Sequence, residues 1–185
     1  LRLHVHGNTC TGASVDMGKA SFLPQAIPVN APDTQHIPVE VNGEHLTLTA
    51  VSMGNPHAVL FSQTAPADLP IEDIARKITA LPANGDQLLF PEGVNVEFVR
   101  IIAPDCIEMR VYERGSGETM ACGTGACAVV CAAIENGLCH PNVPVTVRLR
   151  GGDVQVTVDE DWQVTLTGPV AVSFTGEYTT EVGIC

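Results

Sequence analysis

The sequence predicts an α+β fold: a mostly antiparallel sheet wrapped around a central buried helix. Three observations carry the prediction. Most of the chain consists of short runs of alternating apolar and polar residues, punctuated by glycine, proline and asparagine. Only two stretches have the spacing of a helix. The second of these, "GACAVVCAAI", is apolar or small on every side, and a helix without a polar face is buried all round. Strands that bury one helix have to fold their sheet around it.

The elements follow in order. "LRLHVHG" alternates as a strand, "NTCTG" reads as a turn that includes Cys10, and "ASVDMG" runs on. "LPQAIPVNAPD" is a connection, because proline removes the N–H that a ladder needs. "EHLTLTAVSM" is a strand that ends at "GNPHAVLF". "DLPIEDIARKITAL" is the first helix, with Ile71, Ile74, Ala75 and Ile78 on one face, and it stops near "PANGD". "VNVEFVRII" and "CIEMRVYER" are paired strands joined by "APD". The second helix is predicted from Gly125 to Asn136, closed by Gly137. "VPVTVRLR", "GGDVQVTVDED" and "WQVTLTGPVAVSFTGEY" complete the strands.

Charge and composition exclude several functions. The 185 residues carry 21 acidic side chains against 9 lysines and arginines, a formal net charge of −12. With no basic stripe to neutralise phosphates, neither nucleic acid nor an anionic membrane surface is an expected partner. No apolar run reaches the roughly 20 residues of a membrane helix, and the alternating start does not read as a signal peptide. The first residue is Leu rather than Met, so the sequence reads as processed, truncated, or a later part of something longer. Seven cysteines are an odd number, and without an export signal they point to reduced thiols in the cytoplasm. Zinc frameworks need close pairs such as C-x-x-C, which do not occur. His4 and His6 alternate on one strand face and read as ordinary histidines rather than a chelate. No metal and no cofactor are expected. Lys19 and Lys77 lie in no cofactor-like context, and no phosphate-binding or dinucleotide-binding glycine loop is present.

The stretch "ERGSGETMACGTGACAVVCAA" concentrates the candidate chemistry. Cys127 and Cys131 sit at i and i+4 within the apolar helix and read as small core hydrophobes. Cys122 precedes that helix. There, free first-turn N–H groups and the helix dipole lower a thiol's pKa and can hold a carboxylate. On this reading Cys122 is the most readily alkylated of the seven cysteines. Gly123 and Gly125 let a ligand approach the backbone, and Thr124 adds a hydroxyl. The other reading of the same residues is a glycine-rich turn that holds a cysteine. Glu113 and Arg114, at the end of the preceding strand, read either as an acid–base and anion-binding pair or as a surface ion pair. "GNPHAV" supplies Asn55, with donor and acceptor, and His57, which either moves protons or is a plain turn histidine.

"YERGSGETMACGTGACA" resembles the second-cysteine signature of the diaminopimelate epimerase family, and "AVSMGNPHAV", "GVNVEF" and "VDMG" resemble further family segments in the expected order. The resemblance covers nearly the whole chain. It implies a two-lobed fold, each lobe a sheet around a central helix. It also implies cofactor-independent inversion of an α-carbon by two cysteines on opposite faces of the substrate. By resemblance, Cys122 is the second of those cysteines and Glu113 its acid–base neighbour. Gly123 and Thr124 form the carboxylate-holding turn. Asn55, Asn95 and Arg114 recognise the distal end of the substrate, and His57 assists the first cysteine. The first-lobe loop of the type Cys-Gly-Asn-Gly-x-Arg-Cys has no counterpart, and Cys10 in "HGNTCTG" lacks the flanking pattern.

The resemblance therefore implies the C-terminal lobe of the enzyme. Residues 1–18 are expected to be the last strand of the N-terminal lobe, 19–168 the C-terminal lobe, and 169–185 a returning strand. The implied partners are diaminopimelate, the first lobe and a second copy in a homodimer. The implied setting is LL-to-meso interconversion in lysine and peptidoglycan biosynthesis, with this lobe inactive alone. A related proline or hydroxyproline racemase, and a non-catalytic ligand-binding fragment, are the alternatives.

Overall fold

In the computed structural model, residues 1–83 and 86–177 are described. The strands are β1 (Arg2–His6), β2 (Thr9–Lys19), β3 (Ile37–Val41), β4 (Glu44–Ser52), β5 (Pro56–Phe61), β6 (Asn95–Ala103), β7 (Cys106–Glu113), β8 (Gly117–Thr119), β9 (Val145–Leu149), β10 (Gly152–Val158) and β11 (Gln163–Pro169). The α-helices are α1 (Ile71–Thr79) and α2 (Gly123–Glu135). One sheet runs in the order β1-β2-β11-β10-β9-β7-β6-β5-β4-β3, with β8 paired to β7.

The sheet curls until it meets itself. Ser21, just past β2, pairs with Ser52 at the end of β4, through N–H···O bonds of 3.0 and 2.8 Å in the two directions. β11 and β4 lie six strand spacings apart, about 29 Å if the sheet were flat. Both nevertheless touch α2, as do β5, β6 and β10. The expected wrapping around the helix is therefore present. Nine consecutive residues, Gly125 to Ala133, are buried. They meet Val51, Val59, Val99, Ile107, Met109, Val145, Val147, Val156, Val158 and Val164 from the surrounding strands. Each valine so buried contributes about 1.5–3 kcal/mol.

α1 covers the other face of β6 and β7. Ile71, Ile74, Ala75 and Ile78 are buried as predicted, against Leu48, Ala58, Leu60, Val96 and Phe98. Its ends suit its dipole, with Glu72 and Asp73 in the first turn and Arg76 and Lys77 in the last. The strands between the two helices are covered on both faces, so β5 reads PHAVLF with five of its six residues buried.

Four details differ from the sequence reading. The β5–β6 and β7–β9 junctions are parallel, because α1 and α2 serve as crossovers between them. α2 begins at Gly123 rather than Gly125, since residues 123 and 124 close the first turn on a cysteine cap. Cys10 is not in a turn: it lies on β2 opposite Val5, at a register irregularity, and the turn is only Gly7 and Asn8. The last strand stops at Pro169, and residues 170–177 are irregular, with Val172 and Phe174 exposed. The remainder of 169–185, from 178 on, lies outside the described residues.

Candidate active site

Strand parity sets the floor of the site. In β6, Val96 and Phe98 face α1, whereas Val99 faces α2. By alternation Asn95 and Glu97 share the α2 face. β5 runs parallel to β6 with His57 opposite Asn95 and Val59 opposite Glu97, so His57 joins them. β7 pairs Tyr112 with Val96. Glu113, one residue on and in phase with Met109 and Val111, therefore turns to the same side. The sheet thus presents His57, Asn95, Glu97 and Glu113 beneath the N-terminus of α2.

Cys122 caps that terminus. Its backbone is extended (φ −137°, ψ 112°), and the Gly125 N–H donates to Sγ at 3.3 Å. The Thr124 hydroxyl lies 3.5 Å from the same sulfur. The N–H groups of Gly123 and Thr124 open the helix, where no intrahelical acceptor exists, and Gly123 is exposed.

The sequence reading expects a lowered thiol pKa, and the structure reverses this. Burial pushes the Cys122 thiol up, and the Glu97 and Glu113 carboxylates push it further. The bonds from Thr124 and Gly125 act in the opposite direction but do not outweigh desolvation. Nor is Cys122 the most accessible cysteine. It is buried, whereas Cys10 and Cys106 are half-buried. Cys127, Cys131 and Cys139 are buried as well, and burial raises Cys127 to about 12 and Cys139 to about 11.

A hydrogen-bonded chain leads away from the thiol. Asn55 Nδ2 donates to Thr124 Oγ1 at 3.4 Å, and Asn55 Oδ1 accepts from His57 Nε2 at 3.0 Å. His57 Nδ1 lies 2.6 Å from Glu97 Oε1, both side chains fully buried. The other Glu97 oxygen, Oε2, has no partner among the described residues. An orphaned buried acceptor costs about 1–3 kcal/mol. Burial raises the Glu97 carboxyl above its ordinary value, and His57 opposes that shift.

The remaining candidates line the rim. Asn95 Oδ1 accepts from the Arg114 backbone N–H at 2.8 Å, and the Arg114 guanidinium donates to the Glu92 carbonyl at 2.8 Å. Glu113 Oε1 accepts from the Thr119 hydroxyl. Among the described contacts Glu113 and Arg114 are not paired with each other, so the surface ion pair does not form.

Sequence reasoning missed Glu97, and it gave Gly125 only the role of letting a ligand approach the backbone. A Cβ on Gly125 would stand 2.9 Å from Glu97 Oε1 and 3.3 Å from Cys122 Sγ. Glycine is what lets the buried carboxylate approach the helix. The signal for Glu97 was present: a lone acid inside "VNVEFV", flanked by apolar residues on both faces. His4, at the other end of the fold, pairs through Nε2 with the Ser14 hydroxyl at 2.7 Å.

Comparison with known proteins identifies relatives of this chain. The family model described as diaminopimelate epimerase matches residues 49–173, which includes the cap, the buried dyad and the rim. A diaminopimelate epimerase of Geobacillus thermodenitrificans is 39% identical over 179 residues, covering 94% of this chain and 59% of that protein. One from Pelotomaculum thermopropionicum is 43% identical over 166 residues, covering 89% of this chain and 56% of that protein. The chain thus spans less than two thirds of these curated relatives. Among solved structures, a probable proline racemase from Agrobacterium radiobacter K84 shares the fold, with TM-score 0.63 and 15% identity over 90% of this chain and 53% of that one. On the match to residues 49–173, the chain belongs to the diaminopimelate epimerase family.

Proposed function

We propose that this chain is the Cys122-bearing lobe of a cofactor-independent diaminopimelate epimerase, the lobe that interconverts LL and meso isomers together with a second lobe. The observation that carries the reading is Cys122 as the cap of a buried helix, with its thiol kept protonated beside open N–H groups. Inversion at an α-carbon requires a base on one face and an acid on the other. A thiol held above its ordinary pKa suits the acid. It delivers a proton to the carbanion as a thiolate base opposite removes one, so charge and protons balance.

The substrate α-carboxylate would accept hydrogen bonds from the Gly123 and Thr124 N–H groups, which also stabilise charge developing at the α-carbon. Glu113 would exchange the proton of Cys122 between turnovers. Asn55, Asn95 and Arg114 supply polar groups for a distal ammonium and carboxylate. Proline has no such groups to recognise, which favours diaminopimelate. His57 has both ring nitrogens engaged, which suits positioning rather than proton transfer to substrate.

The opposite thiol would come from an N-terminal lobe. Exposed apolar side chains on β1 and the tail support such a neighbour: Leu3 and Val5 are 57% and 61% exposed, and Phe174 is 85% exposed. On this reading residues 1–18 and 169–177 lie at the junction of the lobes. No helix among the described residues is long and apolar enough to cross a membrane, and the cytoplasm is the proposed compartment.

The test is proton exchange in deuterated water. The full-length protein should invert LL-diaminopimelate with one α-deuterium gained per inversion, and Cys122→Ser should abolish it. The 185-residue chain alone should leave the LL isomer unchanged. Inversion by the Cys122→Ser protein would overturn the reading.

A further inference from the structure

Glu97 occupies a place that an apolar residue would fill without an orphaned oxygen. It is fully buried near the start of β6, between Val96 and Phe98. Its contacts explain why an acid stands there. Asn55 Nδ2 donates to Thr124, which leaves Asn55 Oδ1 to accept from His57 Nε2. His57 Nδ1 meets the Glu97 carboxylate. His57 Nε2 is therefore the donor to Asn55, and Glu97 holds the ring from its far side. The Thr124 hydroxyl, already accepting from Asn55, has its own proton left for Cys122 Sγ, 3.5 Å away. The bonds form one directed chain in which each donor fixes the orientation of the next. The absent side chain at Gly125 leaves room for the carboxylate beneath the same helical turn.

We propose that Glu97 is a positioning residue for the Cys122 thiol, holding the His57 ring through Nδ1 and thereby aiming the Asn55 amide and the Thr124 hydroxyl toward the sulfur. The inference deepens the proposed function and rests on Cys122 being the acid–base thiol. It assigns to an internal carboxylate the task of setting donor direction at a group it does not touch. The titratable groups that face Glu97 are His57 from β5, Glu113 from β7 and Cys122 at the start of α2. Those that face Cys122 are Glu97, Glu113 and, within α2, Cys127.

A double-mutant cycle on the alkylation rate of Cys122 in the 185-residue chain tests this without turnover. Glu97→Leu removes the contact to His57 Nδ1 and leaves no orphaned oxygen. Thr124→Val should slow alkylation several-fold in the wild-type background and have no further effect once Glu97 is Leu. Equal slowing in both backgrounds would overturn the proposal. The readout does not depend on epimerisation, so loss of deuterium exchange and loss of this coupling are separate results.

Discussion

His57 Nδ1 sits 2.6 Å from Glu97 Oε1 with neither side chain exposed to solvent, one strand apart on the inner face of the sheet. This pair joins the fold to the thiol, because its other end reaches Thr124 through Asn55. Several measurable consequences follow from that arrangement and from the burial around it.

Thr124→Val keeps the shape of the side chain and removes the hydroxyl. The Thr124 bond lowers the Cys122 thiol against the effect of burial. Its loss should move the pH midpoint of Cys122 alkylation upward. Mass mapping of iodoacetamide adducts across pH reads this directly. In the unmodified chain, Cys10 and Cys106 should react before Cys122, and Cys122 before Cys127, Cys131 and Cys139. A midpoint that falls in the variant would contradict the geometry.

Gly125→Ala sets two magnitudes against each other. Alanine favours a helix over glycine by roughly 0.5–1 kcal/mol. Here its Cβ would stand 2.9 Å from Glu97 Oε1 and 3.2 Å from Cys122 Cβ, and overpacking of that kind costs about 1–3 kcal/mol. The variant should be less stable by chemical denaturation. Gly123→Ala, whose Cβ would meet nothing nearer than Leu166 Cδ1 at 3.8 Å, should be close to neutral.

Stability should fall in alkali. Burial raises the folded thiols of Cys122, Cys127, Cys131 and Cys139 above the ordinary value of 9.0. A raised pKa means that the native state keeps protons the unfolded chain releases. The contribution is therefore complete below pH 9.0 and lost as pH climbs toward about 11 and about 12, the folded values of Cys139 and Cys127. Each thiol costs about 1.4 kcal/mol per pH unit in that window. Denaturation midpoints should drop steeply there, and Cys127→Ala with Cys131→Ala should flatten the slope.

Ile78→Ala and Arg76→Ala, two residues apart on α1, should differ widely. Ile78 is fully buried, and truncation there costs about 2–5 kcal/mol. Arg76 pairs with Glu72 at 2.7 Å, but both side chains are about two-thirds exposed, at 66% and 65%. Solvent screens such an exposed i,i+4 pair, so its loss should barely move the midpoint. Denaturant titration of both variants checks the contrast.

Much of this was legible in the sequence, and the failures have a common cause. The face of α1, the β6–β7 pair and the all-round burial of α2 follow from periodicity alone, which is a local property. The parallel junctions were not legible, because direction is set by which helix crosses over. Cys10 was misread because a short turn at Gly7 and Asn8 looks longer when Thr and Cys follow it. The lowered thiol pKa failed for a different reason. A helix terminus predicts the local field, but desolvation and the carboxylates of Glu97 and Glu113 arrive from β6 and β7. The motifs point to Cys122, Glu113, Asn55 and His57 as candidates, whereas Glu97 becomes one only once β6 is known to be covered on both faces.

The pairing of β2 with β11 also has a consequence for synthesis. Ser14 and Thr167 hydrogen-bond across 153 residues of chain, and the sheet is sealed only when Ser21 meets Ser52. The ribosome therefore releases α2, apolar on every side, before β9, β10 and β11 exist to enclose it. Folding dominated by such distant contacts is slow, and a nascent chain in that interval carries a greasy helix in the open. The demand on chaperones should peak during translation of the last third of the chain.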